Sequence, residues 1–129
     1  MLRPTIRNIC IYFLIKYMLF FTFMAVRTQD FYFIKPGIRN GVDLFYYFYV
    51  FLFLPAVCCI VFSFPLRSAL RNKNEFYFIG IMAAFFFVEY VMYTYFASRM
   101  NYENGLYNEL ISVLLFIFFF FKNIREVFR

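Results

Sequence analysis

Four long apolar runs divide the chain. They cover about residues 9–26, 44–66, 76–97 and 106–124, and polar, charged or glycine- and proline-bearing stretches separate them. The first run is broken only by Lys16, and the third carries Glu89 among phenylalanines and valines. A spanning helix needs roughly 20 mostly apolar residues. Lipid offers no partner for an unpaired backbone group, so solid runs of this kind predict helices. Strands of a membrane barrel would alternate polar and apolar positions, and these runs do not. The pattern therefore predicts an all-α membrane protein, four transmembrane helices in a small bundle, forming a single integral membrane domain over residues 1–129.

The fourth run is the shortest. Its continuous core, LISVLLFIFFFF, stops at Phe121. Leu106, Tyr107 and Ile124 extend it, and Lys122 and Arg125 can snorkel to the interface. The alternative is a re-entrant or interfacial helix. The first run differs from a signal peptide, because Lys16 interrupts it and its exit, FMAVR, lacks a small-x-small cleavage site. It is read as a retained helix.

Turn chemistry marks the connections. RTQDFYFIKPGIRNGVD holds Pro36–Gly37 and ends on Asp43, a good N-cap for the second helix. SRMNYENG carries Asn104–Gly105 as its turn signal. Pro55, in the middle of the second run, removes a backbone hydrogen bond and predicts a kink. Pro65 is expected to mark the end of that helix.

Composition agrees with lipid as the solvent. Of 129 residues, 65% are hydrophobic, including 24 phenylalanines and 12 tyrosines; soluble chains average about 45–50% apolar. Lysine and arginine are unequally shared between the two sides. Arg3, Arg7, Arg67, Arg71, Lys73, Lys122, Arg125 and Arg129 fall on one side, and Arg27, Lys35, Arg39 and Arg99 on the other. The positive-inside rule then predicts both termini in the cytoplasm, in a bacterial inner (plasma) membrane. The net charge of +6 lies on that inner face, where it meets anionic headgroups. No basic soluble face exists for nucleic acid. Nine tyrosines (Tyr32, Tyr46, Tyr47, Tyr49, Tyr90, Tyr93, Tyr95, Tyr102 and Tyr107) gather toward the outer side, as an aromatic belt would.

Catalytic chemistry is sparse. The chain has no histidine and only four glycines. It carries no phosphate loop, nucleophile elbow or zinc signature. Cys10, Cys58 and Cys59 lie in apolar runs and read as reduced packing residues. No metal, cofactor or enzymatic activity is expected, and the outer acids Asp30, Asp43, Glu103 and Glu109 read as solvated.

Lys16 and Glu89 are the two ionisable residues well inside the runs. A charge there costs at least ~2.5–3.5 kcal/mol on insertion scales, so it normally faces the bundle and is paired or functional. Counting from residues 9 and 76, the two differ in depth by about 9 Å. A bridge through water, or through Tyr12 or Tyr93, suits that offset better than direct contact, since each tyrosine lies four residues from its charge. Three readings compete: an internal pair that fixes the bundle's register; Glu89 contacting a helix of another protein while Lys16 snorkels; and Glu89 as a proton or cation carrier.

For helix packing, Gly80 and Ala84 form a small-xxx-small pair, with Ala56 and Cys59 in the second run as its expected counterpart. In size, basic inner loops and Phe/Tyr-rich spans, the chain resembles the membrane immunity proteins that protect bacteria from pore-forming colicins. The resemblance is one of general character over the whole chain. The leading expectation is an accessory or immunity-type membrane protein acting through helix–helix or lipid interaction. Its partners would be the lipid bilayer and another membrane protein or a second copy as a homo-dimer. The alternative is a small proton- or cation-coupled transporter or channel subunit using Glu89.

Overall fold

The computed structural model describes residues 3–28, 49–97 and 101–129. Among these the chain forms four helices and no strand. Helix α1 is Ile6–Thr28. A π-helical turn, Tyr49–Phe53, leads into α2, Leu54–Arg71. Helix α3, Glu75–Met92, continues through a second π-helical turn, Tyr93–Ala97. Helix α4 is Tyr102–Val127. The expected features Pro36–Gly37, Asp30, Asp43, Tyr32, Tyr46 and Tyr47, and the start of the second run, lie outside the described residues.

The helix ends follow local chemistry. Asn74 and Asn101 are N-caps: their side chains accept from the Tyr77 and Asn104 backbone amides at 3.1 Å each. Glu75 and Glu103 occupy first turns, and Arg27, Arg71 and Arg125 last turns, matching the helix dipole.

Three helical stretches, Ile6–Arg27, Leu54–Arg71 and Glu75–Phe96, are long and apolar enough to cross a membrane. α4 is not among them. Its first two turns hold Glu103, Asn104, Asn108 and Glu109, and Phe120 breaks the helical geometry at φ −113°, ψ 15°.

Side-chain contacts give the topology. Phe13 meets Phe85, Lys16 meets Glu89 and Phe20 meets Tyr93, so α1 and α3 run in the same direction. Phe13–Phe62 and Tyr17–Cys58 set α2 antiparallel to α1. Tyr12–Phe120 and Arg27–Glu103 do the same for α4. This is an up-down-up-down bundle in which α1 and α3 face each other across the middle. Each buries a stripe at three-and-four spacing: Ile9, Tyr12, Phe13, Lys16, Tyr17 and Phe20 on α1, and Phe78, Met82, Phe85 and Glu89 on α3. The outer faces carry bare apolar side chains, with Phe76, Ile60 and Phe64 at least three-quarters exposed.

Pro55 stands directly after the π-helical turn Tyr49–Phe53, so the helix departs from regular α-geometry just ahead of the proline, where the missing amide cannot bond. Several expectations change. Pro65 does not end α2, which continues to Arg71. Leu66, Ala69 and Leu70 beyond it are buried, and their packing outweighs the lost hydrogen bond. Gly80 and Ala84 are exposed and do not line the α2–α3 contact. Gly80 stands two residues, or about 200°, round the helix from buried Phe78. Ala56 is exposed and Cys59 half-buried. The α2–α3 contact uses Phe62 on Phe85 and a Ser68–Tyr77 hydroxyl pair instead.

Asn104–Gly105 is not a turn between helices. Both residues lie at the start of α4, and Gly105 is buried against α3. A Cβ at Gly105 would stand 2.3 Å from Thr94 Oγ1 and 3.0 Å from Tyr90 Cε2. The glycine serves close helix approach.

Candidate functional site

The centre of the bundle is a polar network to which all four helices contribute. Lys16 and Glu89 are fully buried, at 0% and 1% exposure, and Lys16 Nζ contacts Glu89 Oε1 directly. The bridge through water or tyrosine suggested by helix rise is not what forms. α1 begins at Ile6 rather than residue 9, and α3 at Glu75. Lys16 is then ten residues into its helix and Glu89 fourteen, and a difference of four residues is about 6 Å. A lysine side chain spans that.

Two further donors complete the Glu89 carboxylate. Ser112 Oγ on α4 donates to Oε2 at 2.8 Å. Tyr17 OH on α1 donates to Oε1 at 3.4 Å and lies 3.4 Å from Cys58 Sγ on α2. Tyr12 supports the network from behind: its hydroxyl donates to Ser112, 2.7 Å from Oγ and 3.1 Å from the carbonyl oxygen. Tyr12 thus joins the network through Ser112. Tyr93 packs its ring edge-on against Phe20, 5.0 Å between centroids, one turn along α3 from Glu89.

This geometry removes one of the three readings of the charges. Glu89 points into its own bundle and presents nothing to a helix of another protein, and Lys16 does not snorkel. Tyr17 and Ser112 were not singled out from sequence as members of the site. The signal was present: a phenol beside the intramembrane lysine, and one hydroxyl inside the run LISVLLFIFFFF.

On one side of the network the core is phenylalanine. Phe13, Phe62, Phe85 and Phe116 pack ring against ring at 4.9–6.4 Å, and Phe120 lies 5.0 Å from Phe116. On the other side Phe20, Tyr93 and Leu54 share the core with polar groups. Thr94 and Asn108 are buried, and Glu109, expected to be a solvated loop acid, lies within α4 with both carboxylate oxygens inaccessible. Glu109 and Asn108 have no hydrogen-bond partner among the described residues. At the far end of this polar side an exposed cluster joins α1 to α4. Arg27 bonds Glu103 at 2.5 Å and stacks 4.3 Å over the Tyr107 ring.

Among the described residues no group of three or more potential ligands could hold a metal ion. Cys10, Cys58 and Cys59 are free thiols. Set against protein-family models, curated proteins and solved structures, the chain matches none of them.

Proposed function

We propose that this chain is a four-span protein of the bacterial inner membrane, both termini cytoplasmic, that works through helix–helix or lipid contact and not through catalysis. In this reading it is an accessory or immunity-type protein. One observation carries it: away from the helix ends, the charged groups of the first three helices, Lys16 and Glu89, are used within the bundle, and what those stretches turn outward is mostly aliphatic and aromatic. Such a surface recognises lipid tails or another apolar helix. The lysine and arginine bias supports the orientation. The breadth of α4, 26 residues despite its kink, supports a fourth crossing.

A photo-crosslinking amino acid placed singly at Ile60, Phe76, Phe87 and Phe118, all exposed and apolar, tests this in native membranes. The expected result is a protein adduct at one or two of these positions and lipid adducts at the rest. Lipid adducts alone at every position sink the accessory or immunity-type reading and leave lipid contact only.

A second reading, a small proton- or cation-coupled transporter or channel subunit using Glu89, is favoured by one observation: the buried side-chain atoms of Glu109 and Asn108 have no hydrogen-bond partner among the described residues. The phenylalanine packing across the other half of the bundle argues against a continuous path.

A further inference from the structure

Among the described residues the buried charged groups do not balance: the carboxylate oxygens of Glu89 and Glu109 are both buried, and Lys16 is the one buried ammonium. Lys16 is in contact with Glu89, and Glu109 lies three residues from Ser112, the α4 residue that bonds Glu89, so helix spacing puts it on the same side of α4. The groups joined to the pair are Tyr12 and Tyr17 from α1, Cys58 from α2 and Ser112 from α4, and among the described residues Lys16 is the one cation of this network. Arg27 is bonded to Glu103, six residues away along α4. An uncompensated charge in a low-dielectric interior is costly, and proteins avoid it by adding a counter-charge.

Asn108 supplies the independent observation. Its side chain is fully buried, and neither amide atom has a partner among the described residues. Buried amides are nearly always satisfied, by protein, water or ligand. Asn108 lies one turn from Ser112 on the bundle-facing side of α4, and Ser112 is the residue that holds Glu89. Its carbonyl oxygen is a ligand for a cation or hydronium, and its NH2 group a donor to a carboxylate.

We propose that the polar half of the bundle binds one monovalent cation, a proton or an alkali ion, on the Glu109 carboxylate beside Asn108, with the Lys16–Glu89 pair as its floor. The phenylalanine rings beneath the pair make this a dead end rather than a channel. The inference goes beyond interaction through the outer faces, and it holds or fails whatever partner occupies those faces.

The test uses the full chain purified from membranes in detergent. Its unfolding midpoint is followed as Li+, Na+ or K+ replaces N-methylglucamine at constant ionic strength. In parallel, infrared spectra of glutamate-labelled protein at neutral pH report any protonated carboxylic acid. Bound alkali ion gives a saturable rise in midpoint that Glu109→Gln abolishes and Glu103→Gln leaves intact. A bound proton gives no such rise but a protonated-glutamate band that Glu109→Gln removes. Either result supports the site and identifies its cation. A wild-type chain with neither response overturns the proposal, even where Glu109→Gln fails to fold. So does a band that survives Glu109→Gln in a folded variant.

Discussion

Removing one member of the Lys16–Glu89 pair should destabilise the protein far more than removing both, and the two single variants should respond to pH in opposite directions. Breaking a buried ion pair typically costs about 3–5 kcal/mol, whereas replacing both partners with apolar groups is often close to neutral. A ceiling follows from ordinary ionisation. At pH 7, neutralising a free lysine costs about 4.6 kcal/mol and a free glutamate about 3.7 kcal/mol, at 1.36 kcal/mol per pH unit. A stranded partner cannot cost much more than this, because it discards its charge instead. In Glu89→Gln the stranded group is Lys16, and its neutralisation becomes easier as pH rises. In Lys16→Met it is Glu89, and its neutralisation becomes easier as pH falls. Ser112 and Tyr17 stay to donate to Glu89 in that variant, so Lys16→Met should be the milder of the two.

Glu109 adds a refinement. It lies one turn from Ser112 on α4 with both carboxylate oxygens buried, so it should partly replace Glu89 as the counter-charge in Glu89→Gln. That variant should fall below its ceiling, and Glu89→Gln/Glu109→Gln should approach it. Reversible unfolding in mixed micelles at pH 6 and pH 8 would measure all of this. Over those two units each single variant's penalty can change by as much as ~2.7 kcal/mol, with opposite signs. The double variant Lys16→Met/Glu89→Leu should recover at least about 2 kcal/mol relative to the sum of the singles. Single variants within about 0.5 kcal/mol of wild type, or pH slopes of the same sign, would refute the buried pair.

Gly105→Ala should destabilise by about 1–3 kcal/mol, as overpacking does, because its methyl would meet Thr94 Oγ1; pairing it with Thr94→Ala should recover part of the loss in the same unfolding assay. Gly80→Ala, with nothing within 4 Å of the added carbon, should be neutral or stabilise by up to ~1 kcal/mol, and a clear destabilisation would show that something covers that face. Ser112→Ala should cost roughly 1–3 kcal/mol by removing donors and acceptors shared by Glu89 and Tyr12, with Ser112→Thr retaining most of the stability. A chemical thiol count under native and denaturing conditions should find three titratable thiols after unfolding without reductant, since all three cysteines are free.

What the sequence made legible depended on how each residue type signals its surroundings. Lys16 and Glu89 stand out because a charge inside an apolar run has few acceptable environments, and pairing is the least costly. Helix existence was legible for the same reason, since lipid leaves the backbone no alternative. Rotation about each helix axis was not. α1 is apolar nearly all round, so Lys16 alone marks the stripe from Ile9 to Phe20 as the buried one. Gly80 and Ala84 advertise a close contact by size alone, yet their helix turns Phe78, Met82, Phe85 and Glu89 inward, and the small pair follows outward. Gly105 carries the opposite lesson: beside an asparagine it looks like a turn, and only Tyr90 and Thr94 packed against it show that the missing side chain is what matters. Glu109 was hidden by its address. Next to Asn108 and immediately before the solid apolar stretch that begins at Leu110, it looks like the rim of a loop, but α4 starts at Tyr102 and has already carried it two turns along the helix. An acid at the edge of an apolar run is therefore ambiguous until the helix start is fixed. Here that start decides whether the Glu109 carboxylate is wet or buried.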